Sequence, residues 1–396
     1  MRKVKYPFNS IEDKNEFCLN YYNLIASDFN ENEINVLLKR VDVGYDLKIL
    51  LTSDFSQLLQ IQKKIKKSVY EKQIEAFFVK NRLKSIFNIY ENNQAKISNF
   101  FMNHFIGMNS CHYCNIDYIN TFEKTYTFKS KEEFLRFASK EVLMKVEEIS
   151  KETADIIYKK QFGNNLLADL KGILGSKTYM KVFTWYNSNE INNSSNVDFK
   201  RVVIMKNHFT LDHVLPKKEF PFLSLSIFNL VPSCYSCNSK FKHQKEFTIN
   251  DDLVKFCPTS DDFMLDELIR FKMKFDVNDF EFDTKIKNIK QIDDIIINVE
   301  NVKSLTGADE FVEIFNIDSR YEFHKNISFD LIEKRKTYPD SQIHEIEKLF
   351  RDNGIFISKD AFKKHIFGSV IFETESTNEP FEKYKKDIAK QLGLIK

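Results

Sequence analysis

The sequence predicts a mainly α protein with a small α+β insert that carries a four-cysteine metal site. Three observations lead there. Apolar residues recur at three- and four-residue spacing through most of the chain, the period of amphipathic helices. Glycine and proline are scarce, 9 and 7 in 396 residues, while phenylalanine numbers 39. That balance suits helices better than an all-β fold. Four of the six cysteines fall in two C-x-x-C pairs, "CHYC" at 111–114 and "CYSC" at 234–237. The length points to more than one domain.

Residues 1–105 read as a helical N-terminal region. Its segments are "EFCLNYYNLIASDF", "NEINVLLKRV", "SDFSQLLQIQKKIKKSV" and one long helix from about Lys72 to Phe105. The "KKIKK" run at 63–67 reads as a solvated face. Residues 106–247 form a central domain interrupted by a helical insertion at about 130–195, with two or three helices. "RVVIMK" and "FTLDHVLP" read as β-structure ending at Pro216. A loop, a short strand "LVPSC" and a polar, basic helix in "SCNSKFKHQKEF" follow, giving the order β-loop-β-helix. Residues 248–396 form a C-terminal region. It opens with the alternating "FKMKFDVNDFEFD", which predicts a hairpin, and becomes helical from about Asp309. Trp185, Tyr186 and the "YEFHK" segment with Tyr321 and His324 read as packing residues. No repeat, P-loop or dinucleotide fingerprint occurs, so an energy-driven step would need a partner chain.

The net charge of +2 excludes a polycation, and affinity for a polyanion must come from a local patch. From Lys200 to Lys245, eight basic residues stand against Asp212 and Glu219. Lys217, Lys218, Lys240 and Lys242 are the expected phosphate contacts. The opening "MRKVKYPFNSIEDKN" has no apolar run behind it and does not read as a signal peptide. The most apolar stretch, "FPFLSLSIFNLV", is too short to span a bilayer. A cytoplasmic protein is expected.

In such a compartment disulfides are disfavoured. A C-x-x-C loop aims two thiolates at one point, and two loops complete a tetrahedral zinc site. Redox chemistry needs only one pair, within a strand-to-helix turn; unrelated buried thiols are the other alternative. Zinc is expected on Cys111, Cys114, Cys234 and Cys237, closed by four thiolates and therefore structural. More than a hundred residues separate the pairs, so the ion would staple distant parts of the chain. Cys18 and Cys257 read as core residues.

Asp212-His213 ends the first strand, Asn229 precedes the second, and Asn238 directly follows the second knuckle. Together with "CHYC", this set over Leu211–Lys242 resembles the HNH endonuclease superfamily, the ββα-metal nucleases. The longer pattern is similar to a bacterial HNH branch found in phage-defence operons beside an ATPase, with the Septu nuclease subunit as one comparator. The resemblance implies a ββα-metal core and one-metal hydrolysis of double-stranded DNA, with Mg²⁺ or Mn²⁺ as cofactor and an ATPase subunit as partner. It implies His213 as general base, Asp212 and Asn238 as ligands of the catalytic ion, and Asn229 as the residue holding the loop. The long insertion between the knuckles departs from the compact family form.

Residue chemistry agrees with those roles. A neutral histidine can take a proton from water near pH 7. Hard divalent ions prefer oxygen ligands such as a carboxylate or an amide oxygen. One geometric requirement stands against the pair: adjacent strand residues point to opposite faces. Asp212 and His213 share a cleft only where the strand twists or bulges. A catalytically inert zinc-stapled binding module, or the same chemistry on RNA, are the alternative readings.

Overall fold

The computed structural model describes every residue except 1, 83–84, 105–107, 164, 189–198, 244, 276–285 and 396; for 80–82, 85–88 and 275 only the backbone is described. The chain divides into two compact units. One joins Met1–Asn120 to Asn207–Lys396, and the other is Thr121–Lys206. The N-terminal helices, both knuckles and the C-terminal region share one unit. Contacts distant in sequence, invisible to a linear reading, make them one body.

Helices α1 (Ile11–Ala26), α2 (Glu31–Val41), α3 (Leu47–Thr52) and α4 (Phe55–Lys67) open the first unit. Ser10 and Asp13 form a reciprocal capping box on α1, and Asp46 and Asp54 cap α3 and α4. The side chains of Lys63, Lys64 and Lys66 pair with Asp251, Asp42 and Glu71. The long helix expected from Lys72 to Phe105 is broken. Helix α5 (Glu71–Phe78) leads into a hairpin, β1 (Val79–Arg82) with β2 (Ser85–Asn88), before α6 (Ile89–His104). Apolar residues clustered at 77–79 and 86–87 fit either period, so spacing alone did not reveal the break. Phe105 lies outside the described residues.

In the second unit, strands β3 (Thr121–Thr127) and β4 (Arg201–Asn207) pair with each other. Between them run α7 (Lys131–Phe137), α8 (Lys140–Leu143), α9 (Lys151–Lys160), α10 (Leu166–Ile173) and α11 (Ser176–Asn187), five helices among the described residues where two or three were expected. Ser130, Ser139 and Ser150 each accept an N3 amide proton, so each serine starts a new short helix. Phe134, Leu143, Ile157, Leu170 and Trp185 fill this unit's own core.

Back in the first unit, β5 (Thr210–His213) pairs antiparallel with β6 (Leu230–Ser233). A π-helix follows at Ser236–Lys242 and stops at His243, whose φ is 41°. The β-loop-β-helix order therefore appears. The helix is shorter than "SCNSKFKHQKEF" and wider than an α-helix. π-turns are rare and recur at functional sites. Next come α12 (Leu265–Leu268), β7 (Ile269–Phe275) and β8 (Ile295–Asn301). The expected hairpin has its first strand in β7, paired antiparallel with β8; its expected second half, from 276 to 283, lies outside the described residues. From Thr306 the chain is mostly helical: α13 (Thr306–Ile314), α14 (Ile317–Phe323), α15 (Asn326–Thr337), α16 (Asp340–Asp352), α17 (Lys359–Phe367) and α18 (Glu382–Gln391). The whole is mainly helical, with small two-stranded sheets. Among the described residues, no helix is long and apolar enough to cross a membrane.

Candidate metal centre and adjoining polar site

Cys111, Cys114, Cys234 and Cys237 are buried, and their Sγ atoms all lie within 4.8 Å of one another. A tetrahedral zinc with Zn–S bonds of about 2.3 Å sets its sulfurs about 3.8 Å apart. The donor set therefore fits a metal ion such as zinc. Backbone amides point at the sulfurs. Cys234 N–H donates to Cys111 Sγ (3.3 Å), Cys237 N–H to Cys234 Sγ (3.3 Å) and Ile116 N–H to Cys114 Sγ (3.4 Å). Burial raises the Cys114 thiol pKa, but hydrogen bonds with the other three cysteines and the Arg320 charge bring it well below the ordinary thiol range. Cys18 and Cys257 are buried outside the cluster.

The first knuckle turns through Asn115, at φ 55°. Asparagine tolerates that left-handed conformation because its side chain can bond locally. Asn115 Nδ2 donates to Ser110 Oγ (2.6 Å) and to the Glu379 carbonyl (2.8 Å). Arg320 on α14 donates to Cys237 Sγ (3.3 Å) and to Asp117 (3.1 Å), and Tyr321 Oη donates to the Cys114 carbonyl (2.7 Å). The centre thus ties together segments near 110–117, 234–237, 320–321 and 379. Tyr321 is a packing residue, as expected, with its ring on Phe271 and Tyr384.

Asp212 is buried on β5. Its Oδ2 accepts from Tyr113 Oη (2.6 Å) and from Lys242 Nζ (2.6 Å). Lys242 Nζ also donates to the His213 carbonyl. The imidazole of His213 takes a different set of neighbours. Its Nε2 is 2.9 Å from the Ser224 carbonyl, and the Tyr90 ring meets it edge-on at 4.5 Å. Burial pushes its pKa down to about 4, against the opposing pull of that carbonyl and of Asp212. The β5–β6 register is regular through Asp212 and His213. No bulge turns the two side chains to one side: Asp212 reaches the knuckle and the π-helix, and His213 reaches the loop and α6.

Asn229 is fully buried and locks the loop. Its Oδ1 accepts from Leu215 N–H (2.7 Å), and its Nδ2 donates to the carbonyls of Leu215 (3.0 Å) and Leu223 (3.1 Å). The N-terminal helices hold the same loop from outside, through Tyr21 Oη to the Leu225 carbonyl and Ser226 Oγ to the Leu50 carbonyl. Asn238, in the π-helix, donates Nδ2 to the Leu211 carbonyl at 3.5 Å, one residue before Asp212. All four residues singled out in sequence therefore lie on β5, β6's approach loop and the adjoining helix.

The lysines separate. Lys218 and Lys240 are exposed. Lys217 pairs with Glu91 at 3.4 Å. Lys242, expected as a phosphate contact, is only 4% exposed and pairs with Asp212. Four residues along the π-helix from Asn238, it turns inward. Lys200, Arg201 and Lys206 belong to the inserted unit, and Lys206 pairs with Glu141.

Compared with protein-family models, curated proteins and solved structures, the chain finds no match. Sequence reasoning passed over Tyr113, although it sits inside "CHYC", and Arg320, although it precedes "YEFHK". Nothing in the spacing marks either one, because their partners are remote in sequence.

Proposed function

We propose that the chain is a metal-dependent HNH endonuclease that hydrolyses phosphodiester bonds in DNA and serves bacterial phage defence beside an ATPase partner. The observation that carries this reading is the grouping of Asp212, His213, Asn229 and Asn238 on one strand-loop-strand-helix segment fastened to the four-cysteine centre.

The settings of His213 and Asn229 support their roles, while Asp212 faces the other side of β5 from His213. The Ser224 carbonyl can only accept, so His213 Nε2 carries the ring proton and Nδ1 keeps its lone pair. Burial, which lowers the His213 pKa to about 4, keeps the ring neutral at pH 7, and makes it a weaker base than one tuned to the working pH. Asn229 fixes the loop that carries the Ser224 carbonyl and so holds the imidazole in place. Asp212 and Asn238 offer oxygen donors that would hold Mg²⁺ or Mn²⁺. Such an ion, when bound, supplies Lewis acidity at the scissile phosphate and its leaving oxygen. The exposed Lys218 and Lys240 supply phosphate contacts.

One observation favours a second reading. Asp212 already accepts two hydrogen bonds from Tyr113 and Lys242, which suits a structural carboxylate in an inert, zinc-stapled binding module. The experiment that decides is cleavage of plasmid, linear duplex and structured RNA under Mg²⁺, Mn²⁺ and EDTA by wild type and His213→Ala. A nuclease loses about 10²–10⁴-fold in rate on that substitution while keeping its zinc. Equal cleavage by the two proteins, or none by wild type with any substrate, sinks the nuclease reading.

A further inference from the structure

Asp212 is 7% exposed and Lys242 is 4% exposed. A buried carboxylate is stable only when paired. Here the pairing charge comes from the chain itself: Lys242 Nζ sits 2.6 Å from Asp212 Oδ2 and is held there by the His213 carbonyl. Nζ also lies over the Phe247 ring, 5.4 Å from its centroid. Tyr113 fixes the same carboxylate oxygen from the knuckle side, so the pair is locked on a rigid frame. An ammonium ion therefore occupies the carboxylate that the nuclease reading assigns to a divalent cation.

We infer that Lys242 is a built-in counter-ion of Asp212 that opposes uptake of a divalent cation while no nucleic-acid phosphate is present. The inference rests on the reading of Asp212 as an ion ligand. Its physics is charge balance. A divalent cation arriving at Asp212 beside Lys242 leaves the buried site with excess positive charge, and like charges in a poorly screened interior repel strongly. The coupling is reciprocal, so an ion at Asp212 weakens the hold on Lys242 Nζ. A phosphate oxygen at the strand end cancels the excess. Metal and substrate would then be taken up together, with Lys242 a positioning residue of the centre rather than a phosphate contact.

The test is Mn²⁺ titration of the zinc-loaded protein without nucleic acid, read by loss of the free-ion EPR signal. Wild type, Lys242→Met, Asp212→Asn and the double variant are compared, with zinc content and circular dichroism as checks of folding. The inference expects Lys242→Met to bind Mn²⁺ at least about tenfold more tightly than wild type, and the double variant to lose that gain. A merely structural lysine would give the opposite sign, because its loss disorders the carboxylate. Should Lys242→Met not fold, Lys242→Gln carries the same expectation. If Mn²⁺ binding depends on Asp212 yet is unchanged or weaker in the lysine variants, the inference fails and the metal-ligand reading stands. If Asp212→Asn changes nothing in either background, both fall.

Discussion

Tyr113, between the two cysteines of the first knuckle, donates a 2.6 Å hydrogen bond to Asp212, which lies 99 residues further along the chain. The metal centre and the polar site are thus joined by one side chain. The Tyr113 ring is fully buried and stacks on Phe315, so it is held in place independently of Asp212. Tyr113→Phe keeps that packing and removes only the hydroxyl. It should cost about 2 kcal/mol in denaturant unfolding, the usual worth of a hydrogen bond to a charged group. An unfolding midpoint equal to wild type would show that Lys242 alone satisfies the carboxylate.

The cysteine centre should hold one tightly bound zinc, and Cys234→Ser should lose much of the folding stability with it, because metal affinity in such a site is folding energy. Arg320 lies just outside the sulfurs and balances their charge. Arg320→Met should therefore weaken zinc about 10- to 100-fold, as loss of partners around a metal site commonly does. Competition with a chromophoric chelator measures both. Folded protein without zinc would remove the first expectation, and unaltered chelator competition the second.

Asn229 makes three buried hydrogen bonds that fix the loop between β5 and β6. Asn229→Ala strands the Leu215 amide and two carbonyls inside the protein. It should destabilise by about 3 kcal/mol and, where cleavage is measurable, reduce it by loosening the Ser224 carbonyl that orients His213. Thermal unfolding reads the first effect. A stability change well under about 1 kcal/mol would mean that water reaches the loop and replaces these bonds.

Lys240 is exposed on the π-helix, while Lys242 faces inward. Lys240→Ala should lower the slope of log affinity for duplex DNA against log salt by about one unit if it meets a phosphate. Fluorescence anisotropy over a salt series measures it. Affinity that ignores salt would rule out a polyanion surface here.

Residue type and spacing alone determined which atoms could share a metal. Two C-x-x-C loops name their own partners, since each already presents two thiolates at one point. The β-loop-β-helix order and the predominance of helix were legible for the same reason, because both rest on local periodicity and turn chemistry. The tertiary structure decided everything that depends on a partner far along the chain. Lys242 read as a phosphate contact because it falls in a locally basic segment; a π-helical turn carries it to a buried carboxylate. Arg320 and Tyr113 gave no signal, since their roles exist only once α14 and β5 lie against the knuckle. The division into two compact units rests on contacts between segments far apart in the chain. Burial and ion pairing are properties of that assembled neighbourhood, and a one-dimensional pattern carries no coordinate for either.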